Sequence, residues 1–237
     1  ILHQAMLVLE NGDIYFGEYG NNSNRKEVPV YRSQDFGNSW QTIYTFPAGK
    51  IKHVHGCYWD PFEKKIWMCT GDFAGECYAL NTDPDFKKIE WIGDGQQIYR
   101  MCNSFFEPDA IHWIMDSQLE DSYHIRMDRK TRQVQKMTLF PGPVWYIKKL
   151  DDGYYLAATA QEIGPGVHDK YSHLMASRDL VNWEDVHQFK HDNLPKRFFK
   201  FGVVAFADGS QTSQHFYLFG EALKDLDGKS ILCQIQD

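Results

Sequence analysis

The sequence predicts an all-β fold of repeated sheets, on three observations. Aromatic residues make up 15% of its 237 residues, which favours pleated strands and binding surfaces over helices. No stretch carries a sustained 3.6-residue apolar period with caps at its ends, so helices are not expected. Hairpin-type turns recur at nearly even spacing: Glu10-Asn11-Gly12-Asp13, Asp60-Pro61-Phe62-Glu63, Glu107-Pro108-Asp109, Asp151-Asp152-Gly153 and Asp208-Gly209-Ser210. Asn11 to Pro61 is 50 residues, and the next steps, to Pro108, Asp152 and Gly209, are 47, 44 and 57. A period of about 40–50 residues with several strands in each repeat is the signature of a β-propeller.

The elements follow in chain order. After each turn comes a similar strand: 14–18, 66–72, 111–116, 154–159 and 216–221. These runs are too apolar for strands with one wet face and suit the inner, doubly covered part of a blade. Each blade then adds a third and a fourth strand with a turn between them. In the first blade that turn is Ser33-Gln34-Asp35-Phe36-Gly37-Asn38-Ser39-Trp40. Asp and Ser bond a tight backbone with their side chains, and Gly37 supplies a left-handed residue. The fourth blade keeps Ser177, Asp179 and Trp183 but is one residue shorter and lacks the glycine; the second, Thr82-Asp83-Pro84-Asp85, is further degraded, and Asp128-Arg129-Lys130-Thr131 in the third reads as a plain turn. The fifth blade, from about Lys200 to Asp237, has three strands. The expectation is a single propeller domain over 1–237, of four-stranded antiparallel blades, five of them visible. Because the chain begins at Ile1 and no strand precedes it, an N-terminal extension is expected, with room for a sixth blade.

The 33–40 segment reads Ser-x-Asp-x-Gly-x-Ser-Trp, and on it the chain resembles the Asp-box, or BNR-repeat, β-propellers, of which sialidases are the best-known members. The resemblance implies that the boxes are structural staples and that the substrate class is carbohydrate. The sialidase pattern itself is not met: there is no Arg-Ile-Pro segment, and of the arginines only Arg100 is expected at the channel mouth, where that family carries a triad. A sialidase reaction is therefore not expected.

Composition narrows the partners. The formal net charge of −7 disfavours nucleic acid and anionic membranes, and no apolar run approaches the ~20 residues of a membrane span. Cys57, Cys69, Cys77, Cys102 and Cys233 form no CxxC pair and read as buried reduced thiols.

Propeller connectivity puts the end of the second strand and the start of the first on one face. Second strands end at Glu18, Asp72, Asp116 and Glu221, and in the fourth blade at Thr159 with Glu162 close behind. First strands open with His3, with His53 and His55, with Arg100, with Trp145 and Tyr146, and with Lys200. Carboxylates, imidazoles, cations and aromatics are thus expected around one channel mouth, where charge is costly unless paired or used. Asp72 and Asp116 are the acid/base or nucleophile candidates for glycoside cleavage. His53 and His55, two apart on a strand and so on one side, are candidate bases. Arg100 and Lys200 suit a sugar carboxylate or sulfate. Trp145 and Tyr146 offer stacking, with Glu18, Glu162 and Glu221 as further substrate contacts. The loop from Gln161 to Tyr171 is a rim or lid candidate. His53, His55 and nearby acids are plausible metal ligands, but their spacing does not specify a site, and the expectation is no metal and no cofactor. The leading function is a glycan-cleaving enzyme, hydrolase or lyase, on an acidic or microbial polysaccharide. The alternative is a non-catalytic glycan- or protein-binding propeller.

Overall fold

The computed structural model describes residues 1–196 and 200–236. They form five antiparallel sheets of three or four strands, an all-β arrangement consistent with a β-propeller. The first holds β1 (Leu7–Val8), β2 (Ile14–Gly17), β3 (Val28–Ser33) and β4 (Gln41–Phe46), and the second β5 (Val54–Asp60), β6 (Lys65–Thr70), β7 (Cys77–Thr82) and β8 (Ile89–Gly95). The third holds β9 (Phe105–Phe106), β10 (Ala110–Ile114), β11 (Tyr123–Asp128) and β12 (Val134–Leu139). The fourth holds β13 (Val144–Lys149), β14 (Tyr155–Thr159), β15 (Tyr171–Ser177) and β16 (Glu184–Lys190). The fifth holds β17 (Val203–Phe206), β18 (Phe216–Glu221) and β19 (Ser230–Cys233). Every sheet is an up-and-down meander in chain order. The expected second strands are β2, β6, β10, β14 and β18. Asp237, the expected end of the fifth blade, lies outside the described residues.

The chain divides into two compact units, residues 1–111 with 127–133 and residues 112–126 with 134–237. The first has a core of Tyr15, Val30, Phe46, Ile51, Met68 and Leu80 among others, and the second one of Leu156, Ala158, Leu174, Val204, Leu218 and Leu223 among others. Strands β10 and β14 are buried along their whole length, as their unbroken apolar runs require. Strand β18 alternates instead, with Tyr217 and Phe219 exposed.

The turns between third and fourth strands share one device. In the first sheet, Ser39 donates its backbone N–H and hydroxyl to Asp35, and the Gly37 N–H goes to Ser33 Oγ at 2.8 Å. The Trp40 indole N–H closes on the Gly37 carbonyl at 3.1 Å. In the other turns Asp83, Asp128 and Asp179 likewise accept backbone N–H groups. The Asp128 turn is therefore not plain but capped by the same carboxylate. A residue with positive φ stands in each turn, Phe36, Phe86, Arg132 and Leu180. Such strain costs on the order of 1–2 kcal/mol per residue, and these side-chain bonds offset it.

The cysteines are thiols outside any disulfide, and all but Cys233 are buried. Burial pushes the Cys57 thiol up to about 12 against an opposing backbone hydrogen bond, so it stays protonated.

Candidate functional site

A cluster in the first unit joins four of the expected residues. It begins where β5 leaves its loop. The pairing of β5 with β6 runs Val54↔Thr70 and then Gly56↔Cys69, so His55 is the extra residue of a β-bulge. A bulge re-aims a side chain. Here it brings His55 Nε2 to 3.1 Å from His53 Nε2. Gly56 is required beside it, because a Cβ there would lie 2.0 Å from the Tyr58 hydroxyl oxygen, and that hydroxyl donates to the Cys102 carbonyl.

Asp72 arrives from the end of β6. Gly71 turns the chain at φ +122, with the Cys77 backbone 2.8 Å from where its Cβ would be, so any larger residue would displace Asp72. Asp72 Oδ1 lies 3.3 Å from His53 Nε2 and 3.2 Å from His55 Nε2, and Lys52 takes the other oxygen. A 3-10 turn, Gln97–Tyr99, lays two more side chains on the same residue. Gln97 Nε2 donates to the Asp72 carbonyl at 3.1 Å and Arg100 Nη1 at 3.0 Å, while Arg100 Nη2 stands 3.6 Å from Oδ1. The Tyr19 ring covers His53, with centroids 4.1 Å apart. His53, His55 and Arg100 are 3%, 2% and 4% exposed, whereas the side chains of Asp72 and Lys52 reach solvent at 17% and 18%.

Burial works against charge on Asp72, but hydrogen bonds and attraction from His53 and His55 outweigh it and hold the carboxyl far below the usual carboxylate range. That direction favours the ionised form, which suits a base, a nucleophile or a ligand.

The other expected residues are placed as follows. Glu18 is exposed and accepts the Tyr31 hydroxyl at 3.3 Å. In the second unit, Asp116 is buried two residues past the end of β10. Tyr146, expected as a stacking surface, is 4% exposed in the apolar core, so its ring is not a platform. Trp145 is half-buried and donates its indole N–H to the buried Glu162 at 2.8 Å. Lys200 and Glu221 pair with each other at 2.6 Å. The loop from Gln161 edges a cleft of about 570 Å³ bordered by Lys170, Lys190 and Lys196. His191 and Asp192, 3.2 Å apart, also line it, but it holds one imidazole where the Asp72 cluster holds two. Lys52, Gln97 and Tyr19 were not legible in the sequence; only the run Lys52-His53-Val54-His55 gave a hint, and strand alternation would have set Lys52 opposite His53.

No family model matches the chain, and no curated protein does. Solved structures do resemble its fold. An exo-β-1,3-galactanase from Phanerochaete chrysosporium superposes with a TM-score of 0.59 at 14% identity, over 97% of this chain and 58% of that one. An exo-β-1,3-galactanase from Clostridium thermocellum gives 0.54 at 17% identity, over 91% of this chain and 53% of that one. TolB from Acinetobacter baumannii gives 0.53 at 11% identity, over 92% and 53%. The chain thus spans little more than half of each. At these identities the likeness shows the fold alone.

Proposed function

We infer that the chain is a carbohydrate-active β-propeller that cleaves an anionic glycan at the Asp72 cluster. One observation carries this: the carboxylate of Asp72, just past the end of β6, meets two buried imidazoles, Lys52 and Arg100. Such a set supplies a base beside cations able to hold a sugar carboxylate or sulfate. The galactanase likeness supports glycoside hydrolysis as the reaction. There Asp72 acts as nucleophile or base, and Asp116 is a candidate acid within the second unit. Glu18 is an outer contact candidate in the first unit; in the second, Trp145 is a candidate sugar platform with Glu162, Lys200 and Glu221 as contacts of its own. The stapled turns at Asp35 and Asp179 support an Asp-box propeller of five blades in this chain, in which the boxes hold structure.

Elimination is the second reading. It is favoured by the imidazole pair beside two cations, which suits proton removal next to a neutralised uronate carboxylate. A panel of acidic and neutral polysaccharides, read for new reducing ends and for unsaturated products, separates the two. Asp72→Asn is expected to lower turnover by about 10²–10⁴-fold, with its fold verified by circular dichroism. Silence of the parent across the panel, with glycan binding intact, would replace the enzyme with a binding propeller.

A further inference from the structure

The contacts among His53, His55 and Asp72 bring two ring nitrogens and one carboxylate oxygen into a single close group. His53 Nδ1 donates to the Gly20 carbonyl and His55 Nδ1 to the Met101 carbonyl, each at 2.9 Å. A carbonyl oxygen only accepts, so both Nδ1 atoms carry protons, and a neutral ring so fixed presents a lone pair at Nε2. The two Nε2 atoms and Asp72 Oδ1 then form a triangle of acceptors with sides of 3.1, 3.2 and 3.3 Å. Three acceptors this close repel one another unless positive charge lies among them. A single proton on one ring can point along one side of the triangle. A metal ion satisfies all three corners.

We propose that His53, His55 and Asp72 are the ligands of a divalent transition-metal ion. The dimensions fit: tetrahedral zinc with bonds of 2.0–2.1 Å sets its ligand atoms roughly 3.3–3.4 Å apart. The donor set fits, since imidazole selects ions of the zinc, iron, nickel and copper group rather than magnesium or calcium. The surroundings fit as well. Ligating histidines commonly donate their other ring N–H to a backbone carbonyl, and ligating carboxylates are themselves hydrogen-bonded; Lys52 on the second Asp72 oxygen fills the latter place. Three protein ligands leave a further position for solvent or substrate, on the side where Asp72 is exposed. Lys52 and Arg100 repel a cation, so the ion is expected to be removable by a chelator. Their charge also suits an anionic occupant of the open position. This site stands whether or not the chain cleaves glycans, because its test needs no glycan.

The test is to strip the full chain with a chelator, titrate it with Zn²⁺ by calorimetry, and record the absorption of the Co²⁺ form. One equivalent per chain is expected. His53→Ala/His55→Ala should weaken binding at least 100-fold, a larger loss than the 10–100-fold typical of outer-shell changes. X-ray absorption of the zinc-loaded parent should show two imidazoles and light oxygen scatterers, a readout that does not depend on the variant folding. Absence of stoichiometric binding to folded parent would overturn the proposal and leave a proton-held imidazole pair. Binding that survives in the folded double variant, or a spectrum without two imidazoles, would overturn it too. Loss of polysaccharide cleavage with the zinc site intact would count against the proposed function only.

Discussion

Two strand ends, one in each unit, are built alike and finish differently. Both first strands carry a bulge at the same register. In β5 the run Val54-His55-Gly56 faces Thr70 and Cys69; in β13 the run Val144-Trp145-Tyr146 faces Thr159 and Ala158. In both, the bulged residue reaches an acid that follows the neighbouring second strand, Asp72 in one and Glu162 in the other. The backbone device is the same, so the chemistry is set by which side chain occupies the bulge and what surrounds the acid. Beside Asp72 stand another imidazole and two cations. Glu162 is tied to an indole, a donor that does not titrate. The first end gathers several polar groups on one carboxylate; the second makes an indole–carboxylate hydrogen bond.

Exchanging donors at the two bulges should separate them most sharply. His55→Ala is expected to lower glycan turnover by about 10²–10⁴-fold. Trp145→Phe keeps the apolar ring but removes the N–H from a buried acceptor. It should cost about 1–3 kcal/mol of stability with turnover nearly unchanged. Steady-state kinetics and urea unfolding of both variants check this, and equal losses of turnover would erase the distinction.

A smaller effect is expected at the residue after the bulge. Tyr146 fills that place in β13, whereas β5 has Gly56, over which Tyr58 is folded. Gly56→Ala should cost about 1–3 kcal/mol by overpacking and loosen the Tyr58 bond to Cys102. Unfolding midpoints measure it, and an unchanged midpoint would mean that Tyr58 moves aside freely.

The smallest effect belongs to the staples remote from both ends. Hydrogen bonds from the Ser39 hydroxyl and backbone, and from Ser33, lower Asp35 to about 2. A depressed carboxyl contributes stability that is present above its unfolded value near 4 and is lost as pH falls through the folded one. Asp35→Ala should therefore lower the melting temperature slightly at neutral pH, match the parent near pH 2, and leave turnover alone. A variant still less stable than the parent below pH 2 would show that the bonds matter apart from the charge.

Much of the fold was legible because local rules agreed. The second strands announced themselves as apolar runs behind turn residues, and β2, β6, β10, β14 and β18 lie where those runs are. The Ser33–Trp40 turn followed from side chains that bond their own backbone. The capping at Asp128 was missed because only its carboxylate remains of the motif. The site was legible by half. His53, His55, Asp72 and Arg100 were expected near one strand end and do meet, but their mutual distances were not foreseeable. The histidines do share a side, as alternation implied, but with a bulge at His55 that no residue type marks. Nor could composition tell an accessible aromatic from a core one, as Tyr146 shows.

By itself, the sequence determined the all-β class, the repeat and the staples, because period, turn chemistry and burial pattern act between near neighbours along the chain. Tertiary structure alone decided that Lys52 and Arg100 converge on Asp72, that Glu162 holds Trp145, and that two imidazole nitrogens face one carboxylate oxygen. Those contacts join segments 17 to 28 residues apart, and their geometry depends on bulges, a single 3-10 turn and the packing of loops, which leave no periodic trace in the chain.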